Sequence, residues 1–421
     1  MKKRTMLLTV ILLIAVTAVA AFVFLGQKSS GITNLSNIIF SKEPPDTPVD
    51  PNVVSAHSDF GFRLFHELNK QQPNSNVFIS PASLNLTLSM TCNGARGDTQ
   101  EAMARTLGIQ AIPLEQVNKA NSTLIANLNA PGPGLKITVA NSLWGDRSIR
   151  FNRSFVATNK QYYDAHLKRL NFQDPKAPQV IDNWVSKKTQ GRIKRIVERI
   201  DANEFLILVD AVHFDGVWMN EFNEALTKEG DFILSNGQKK RIPMMSNSTM
   251  LRYYRGQDFQ MVRLPYGQDR MSMLIFLPDK NSDLETFISK LNIENWQKWR
   301  NGMQESQVLI TMPRFEIEYS AEEEMKTALT SLGMGVAFDA KNADFTGICS
   351  QGSWLNRVIH KTYLRVDEKG TEAAAATAAA LQGLAVMPSL VEFTVDRPFF
   401  CAIDDGKTGE ILFMGAIYKP M

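Results

Sequence analysis

The sequence predicts an α+β fold for this chain of 421 residues, because apolar strands and amphipathic helices are mixed along it without strict alternation. Residues 205–214 are almost continuously apolar, which is typical of a strand covered on both faces, and residues 271–277 show the same pattern. Residues 399–403 and 411–414, separated by a turn-rich segment, predict two neighbouring strands. Mostly antiparallel sheets with helices packed against them account for these patterns.

Three helices are predicted near the start of the domain. Residues 59–71 place their apolar side chains on one helical face. Ser80, followed by proline, has the pattern of a helix N-cap. Asp98, with Glu101 three residues later, predicts a capping box for a third helix that ends at Gly108.

The first 25 residues are predicted to lie outside the folded domain. Lys2, Lys3 and Arg4 precede an uncharged apolar stretch at residues 6–25. This stretch is either a signal peptide, cut after the small residues 18–20, or an uncleaved anchor long enough to span a membrane. Both alternatives predict an extracytoplasmic protein, secreted or anchored to the outer face of the cell membrane.

One domain follows a linker. Residues 26–52 are rich in Ser, Asn, Pro and Asp, which predicts a flexible tether, and residues 53–421 contain no break or repeat. The net charge of +3 is nearly balanced, which argues against a general nucleic-acid binder. Cys92, Cys349 and Cys401 form no CxxC pair and are expected to be buried free thiols.

Catalytic motifs are missing from the sequence. There is no GxSxG elbow, HExxH, P-loop, GxGxxG or CxxC motif, and the five histidines lack the spacing of metal ligands. A Ser-His-Asp set can be imagined from Ser80, His360 and Asp210, but Ser80 is better explained as a helix cap. We therefore expect no enzyme activity, no metal and no cofactor.

The segment at residues 367–398 does not fit an ordinary domain. Residues 373–380 have high helix propensity, yet they lack a large apolar stripe and are followed by Gly383 and Pro388. A long exposed loop fits better, and long loops in compact domains tend to be functional.

The same segment, considered as a strand, has one face of small uncharged side chains. That face consists of Thr371, Ala373, Ala375, Thr377 and Ala379. The only charge, Glu372, lies on the opposite face near the start. Such a segment could enter a sheet beneath a helical layer without burying a charge.

Residues 368–374 (EKGTEAA) resemble the hinge of inhibitory serpins, and residues 393–400 resemble the C-terminal signature of that family. The resemblance continues in family order over most of the domain, at residues 76–83, 141–144, 181–191, 208–218, 312–315, 332–334 and 343–347.

This resemblance to the serpin family implies three mostly antiparallel β-sheets, about eight or nine helices and an exposed reactive loop at about residues 368–392. It implies irreversible suicide-substrate inhibition of a serine protease, which is held as a covalent acyl complex while the cut loop inserts into the large sheet. The chain is expected to be a monomer. The implied hinge residues are Glu368, Gly370, Thr371, Glu372, Ala373, Ala374, Ala375 and Ala376.

The resemblance also implies a reactive bond. The residue before this bond usually lies about 16 positions beyond the hinge glutamate, which places it at Leu384, with Ala385 on the leaving side. Gly383 and Val386 remain alternatives within this register. A Leu-Ala bond suits an elastase-, chymotrypsin- or subtilisin-like protease.

Four residues match the region where the sheet opens in serpins: Ser80, Ser83, Asp210 and His360. Trp218 matches the end of the strand beside the insertion site. The family usually has Asn where this chain has Asp210, so either His360 is protonated and pairs with a carboxylate, or Asp210 is simply a hydrogen-bonded acceptor.

The main alternative function is that of a non-inhibitory serpin acting as a carrier or chaperone. A charge or proline on the inserting face would block insertion, and residues 371–379 carry none on that face. The hinge therefore favours inhibition. The segment at residues 114–129 resembles the helix that binds heparin in some serpins, but its single base does not support that regulation.

Overall fold

The computed structural model describes residues 48–201, 203–371 and 390–420. Within these ranges, no helix combines the length and the apolar character needed to cross a bilayer. The predicted signal or anchor and most of the predicted tether lie outside the described residues.

Nine α-helices occur in the described ranges, which agrees with the expected number. They are α1 Pro51–Gln71, α2 Pro81–Cys92, α3 Gly97–Thr106, α4 Leu114–Asn129, α5 Arg153–Tyr163, α6 Ala177–Lys188, α7 Leu284–Ile288, α8 Ile293–Asn301 and α9 Glu323–Leu329.

Helix α1 begins earlier than predicted. It starts at Pro51, inside the predicted tether, because the Asp50 carboxylate accepts a hydrogen bond from the backbone N–H of Asn52 at 2.9 Å. Val49 is already buried, so the folded domain includes the last residues of the predicted tether.

The two predicted helix caps have different outcomes. The Ser80 hydroxyl caps α2 by accepting a hydrogen bond from the backbone N–H of Ser83 at 3.3 Å. The capping box at Asp98 is wrong, because Arg96 is the N-cap of α3 and Asp98 lies in the first turn. There a carboxylate interacts favourably with the helix dipole without capping a backbone donor.

Fifteen strands occur among the described residues, and β4, β8, β14 and β15 confirm the four strands predicted from apolar runs. The strands are β1 Val77–Ile79, β2 Leu135–Asp146, β3 His166–Leu170, β4 Leu206–Val217, β5 Lys228–Ile233, β6 Lys239–Arg255, β7 Phe259–Tyr266, β8 Met271–Pro278, β9 Gln304–Pro313, β10 Phe315–Ala321, β11 Leu355–Val366, β12 Gly370–Thr371, β13 Val391–Thr394, β14 Phe399–Asp405 and β15 Ile411–Ile417.

The α+β class is confirmed, but the described strands form two hydrogen-bonded sheets rather than the three expected. The long strand β6 is the reason. It pairs with β5 at its start, with β9 along its middle and with β7 at its end, so one continuous backbone joins three ladders into a nine-stranded sheet.

The second sheet has six strands in the order β10-β11-β4-β2-β3, with β12 added on β4. Along one edge, β4 pairs antiparallel with β2. Along its other edge, Leu206–His213 pairs parallel with Leu355–Tyr363 of β11. We call this parallel boundary between β4 and β11 the seam.

Strand β4 is covered on both faces, as its apolar run predicts. Leu208 and Phe214 belong to the main hydrophobic core. Val209 and Ala211, on the other face, pack in a separate cluster with Ile181 of α6. The seam therefore lies between a core below and a helix above.

The three cysteines are buried and unbridged, as expected. Burial raises the pKa of the Cys92 thiol to about 12, so this thiol is protonated at neutral pH.

Candidate functional site

The predicted hinge begins as a short strand at the end of the seam. In β12, Gly370 and Thr371 pair antiparallel with Val217 and Gly216 of β4. Because β2 occupies the other edge of β4, β12 lies on the same edge as β11, just beyond His213 where the seam ends. The start of the hinge is therefore seated at one end of the seam.

Only glycine fits the first position of β12. Gly370 has a φ of +146°, a region that side chains rarely adopt. A Cβ atom at this position would lie 2.0 Å from the carbonyl oxygen of Gly216. The close approach of the two backbones thus requires glycine.

Thr371 points into the main core. It is fully buried, and its hydroxyl lies 2.9 Å from the hydroxyl of Tyr266. Burial raises the pKa of Tyr266 well above its usual value, so both hydroxyls keep their protons and one donates to the other. A small polar side chain at this position is therefore fully satisfied.

Trp218 holds the segment that precedes β12. Its ring stacks on Tyr266 with centroids 4.2 Å apart. Its indole N–H donates to the carbonyl of Asp367 at 2.9 Å, and its backbone N–H donates to the carbonyl of Lys369 at 2.9 Å. Trp218 thus forms hydrogen bonds with the backbone that precedes β12 and stacks on Tyr266, whose hydroxyl contacts Thr371.

Glu368 is tied to two side chains that the sequence analysis did not identify. Arg314 donates a charged hydrogen bond to its carboxylate, and the Thr227 hydroxyl donates another at 2.6 Å. Burial opposes ionisation, but these hydrogen bonds outweigh it and lower the pKa of Glu368. Arg314 lies within a quoted serpin motif, yet nothing in that motif links it to a residue 54 positions away.

The four residues of the predicted sheet-opening region lie in one buried hydrogen-bonded cluster. His360 Nδ1 lies 2.7 Å from Asp210 Oδ2, and the Ser83 hydroxyl donates to Asp210 Oδ1. The backbone N–H of Ser80 donates to His360 Nε2 at 3.1 Å. Asn141 of β2 approaches Ser83 Oγ at 3.1 Å. The cluster joins α2 to β2, β4 and β11.

Hydrogen-bond partners assign the proton on His360. Because Nε2 accepts from the N–H of Ser80, the neutral ring carries its proton on Nδ1 and donates it to Asp210. The expectation of a protonated His360 is therefore not supported. Asp210 is a hydrogen-bonded acceptor, the second of the two alternatives.

The same geometry excludes a serine nucleophile at this cluster. The Ser80 hydroxyl donates to the carbonyl of Leu412 at 2.6 Å, away from His360. Ser80, Asp210 and His360 are each at most 2% exposed, so no substrate can reach them. Among the described residues, no group of three or more His, Cys, Asp or Glu side chains could hold a metal ion.

A helix and a loop cover the seam. Ile181 and Val185 of α6, with Ile193 and Val197 of the following loop, pack against a cluster that includes Ile359 of β11. Any strand that enters the seam must therefore pass beneath this cover.

The remaining predicted site residues lie outside the described residues: Glu372, Ala373, Ala374, Ala375, Ala376, Leu384 and Ala385. The described part of the predicted hinge ends at Thr371, which pairs with Gly216 of β4.

Comparisons with known proteins agree with this architecture. The family model described as Serpin (serine protease inhibitor) matches residues 55–420. Serpin B6 of Macaca fascicularis is 34% identical over 87% of this chain and 99% of its own length. The leukocyte elastase inhibitor of Xenopus tropicalis is 33% identical over 88% of this chain and its full length. The native structure of the thermophilic serpin tengpin superposes with a TM-score of 0.81 at 29% identity, covering 92% of this chain and 99% of tengpin.

Proposed function

The chain belongs to the serpin family of serine protease inhibitors, and we propose that it holds its target by inserting residues 371–381 into the seam. It is an inhibitor and not an enzyme. The observation that carries the proposed insertion is β12, which occupies the first two positions of a new antiparallel strand on the open part of the β4 edge.

The proposed chemistry begins as ordinary proteolysis. The serine hydroxyl of the protease attacks the carbonyl carbon of Leu384, and an ester forms as the bond to Ala385 breaks. The departing amine of Ala385 takes up a proton. Insertion of the freed segment then carries the acylated protease away before water can hydrolyse the ester.

The register of β12 predicts where each inserted residue comes to lie. If the antiparallel pairing with β4 continues, Thr377 lies opposite Asp210 and Leu381 lies opposite Leu206 at the start of β4. Thr377 thereby meets the sheet-opening cluster. The insertion fills the whole length of the seam.

The two faces of the inserted strand suit their surroundings. Thr371 already faces the main core, so Ala373, Ala375 and Ala379 would follow it there. The opposite face, with Ala374 and its successors, would lie beneath α6. Apart from Glu372, which lies near the start of that opposite face, residues 371–380 have only small uncharged side chains, which supports insertion with little burial penalty.

The proposed target is a serine protease that accepts leucine before the cut bond. Leu384 is uncharged and apolar, which fits an elastase-, chymotrypsin- or subtilisin-like pocket. The similarity to a protein named leukocyte elastase inhibitor supports the same class.

A denaturing gel tests this function. Residues 48–421 are mixed with elastase, chymotrypsin and subtilisin, and the released C-terminal peptide is measured by mass spectrometry. We expect a band at the summed mass that survives denaturation, and a peptide that begins at Ala385. Cleavage without such a band, across these and further serine proteases, would favour a carrier or chaperone instead.

We also propose that residues 1–25 export the domain as a monomer, secreted or tethered through residues 6–25. The basic start and the apolar stretch support this localisation. N-terminal sequencing of the protein made in cells distinguishes the two forms, since a cleaved signal gives a start at Ala21 and a retained anchor keeps the whole stretch. Recovery of the intact chain from the cytoplasm would contradict export.

A further inference from the structure

The far end of the seam carries side-chain bonds that join its two sides. Asn356 of β11 accepts hydrogen bonds on Oδ1 from the backbone N–H groups of Phe205 at 2.8 Å and Leu206 at 3.2 Å. The β-ladder has an irregularity between Leu355 and Arg357, so the Asn356 side chain supplies an acceptor where the backbone register shifts.

Arg357 adds a charged contact across the same end. Its Nη2 donates to the Glu204 carboxylate at 3.0 Å and to the carbonyl of Arg199 at 2.7 Å. Both acceptors lie in the segment that leads into β4, so Arg357 of β11 binds the opposite side of the seam. The Arg357 side chain is 12% exposed and that of Glu204 is 9% exposed, which places this ion pair in a poorly solvated site.

Arg357 also binds a second glutamate that lies on its own side of the seam. Its Nη1 donates to Glu322 at 2.6 Å. Glu322 directly follows β10, which pairs with β11 throughout its length. When β10 and β11 move away from β4 together, this contact moves with them.

We propose that Asn356, Arg357 and Glu204 form a clamp that controls the last stage of loop insertion, an inference that rests on the proposed function. Neighbouring strands lie about 4.8 Å apart, so a strand inserted between β4 and β11 separates them by about 9.6 Å. The bonds from Asn356 to Phe205 and Leu206 cannot survive that separation.

The inserting strand reaches the clamp late, because the clamp lies at the end of the seam farthest from the hinge. The β12 register starts at the opposite end of β4, and the 11 residue steps from Val217 to Leu206, at about 3.3 Å each, place the clamp about 36 Å from the hinge. The first inserted residues open the seam from the hinge end. The residues next to the cut bond must then break the clamp while the ester with the protease is still intact.

Two matched substitutions test the clamp. Glu204→Gln weakens the contact that crosses the seam, whereas Glu322→Gln weakens a contact of the same Arg357 that does not cross it. Both are nearly isosteric and leave Arg357 with one carboxylate. Asn356→Ala serves as a second seam-crossing variant.

The first readout needs no protease. Each protein is incubated with an acetylated peptide of residues 371–381, and the rate of peptide incorporation is followed on native gels. The loss of one hydrogen bond to a charged group, or of the two neutral hydrogen bonds that Asn356 accepts, changes a rate by a factor on the order of ten. We therefore expect Glu204→Gln and Asn356→Ala to take up the peptide about ten-fold faster than the wild type. Glu322→Gln should stay within about two-fold.

The second readout is the number of inhibitor molecules cleaved for each protease trapped. This number should be lower in both seam-crossing variants and unchanged in Glu322→Gln. Equal rates for Glu204→Gln and Glu322→Gln would overturn the clamp while leaving inhibition intact. A wild-type protein that neither takes up the peptide nor traps a protease would overturn the proposed function as well.

Discussion

The two edges of strand β4 are built differently. Along one edge, β2 pairs antiparallel with β4 without interruption from Leu135 opposite Gly216 to Gly145 opposite Leu206. Along the other, β11 pairs in parallel over a shorter stretch, with an irregular register at its start. Parallel pairing is slightly weaker per residue than antiparallel pairing.

Besides its backbone ladder, the weaker edge is crossed by individual side-chain bonds. Asn356 and Arg357 cross the seam at one end, the Asp210–His360 pair crosses its middle, and β12 occupies the other end. A shorter parallel ladder reinforced by separate side-chain bonds can open from one end as its pairs and these bonds break in sequence. The longer, uninterrupted antiparallel ladder on the other edge has more pairs to break.

Among the substitutions considered, Thr371→Arg is expected to have the largest effect, because it blocks insertion along the β11 edge of β4. Thr371 is fully buried against Tyr266, so an arginine there must bury an unpaired charge or leave the sheet. We expect complex formation on denaturing gels to be lost, while the loop is still cut. Thr371→Ser keeps the hydroxyl and should trap proteases normally, and undiminished trapping by Thr371→Arg would contradict insertion at this edge.

Arg314→Gln should loosen the hinge end of the seam. It removes the charged partner of Glu368, whose side chain is only 4% exposed. We expect a loss of about 1–3 kcal/mol in the free energy of unfolding, measured with urea at pH 7. Arg241→Gln removes an exposed partner of Asp231 and should cost well under 1 kcal/mol. Equal losses in the two variants would contradict the claim that the Arg314–Glu368 pair stabilises the hinge end of the seam more than an exposed ion pair does.

Acidification should weaken the native state through His213, which lies on β4 where the seam ends. Burial, reinforced by Arg192 and Lys136, lowers its pKa from 6.5 to about 4, although Asp215 lies 3.3 Å away. Between these two pH values the unfolded chain binds a proton that the native state does not, so stability falls as the pH falls from 6.5 to 4.

His213→Gln should flatten that part of the pH dependence. Urea unfolding at pH 7 and at pH 4.5 measures the change in the free energy of unfolding. A wild-type slope in His213→Gln would exclude this histidine as its source.

The sequence predicts those features that depend on local patterns. The continuous apolar run of β4, the Ser80 cap and the small-residue face that begins at Thr371 can each be recognised within a few residues. Each reflects burial or backbone geometry that acts at short range. The resemblance to the serpin family extended the prediction from these local elements to the whole fold.

Other features depend on contacts between distant parts of the chain. The partnership of Arg314 with Glu368, and the N–H of Ser80 that fixes the tautomer of His360, follow only from the fold. The continuity of β6 through three ladders joins the described strands into two sheets rather than the expected three, and no local sequence pattern predicts it.

The most direct test of the account places a disulfide across each edge of β4. Val209 lies opposite Ile359 on β11 and opposite Ser142 on β2, so Val209→Cys combined with Ile359→Cys locks the seam, and Val209→Cys combined with Ser142→Cys locks the other edge. The three native cysteines are buried, which limits competing bridges.

Complex formation with a protease that the wild type traps is then measured before and after reduction. We predict that the oxidised seam-locked protein is cut but forms no denaturation-resistant complex, that reduction restores the complex, and that the protein locked at β2 forms it in both states. A denaturation-resistant complex formed by the oxidised seam-locked protein would contradict the account.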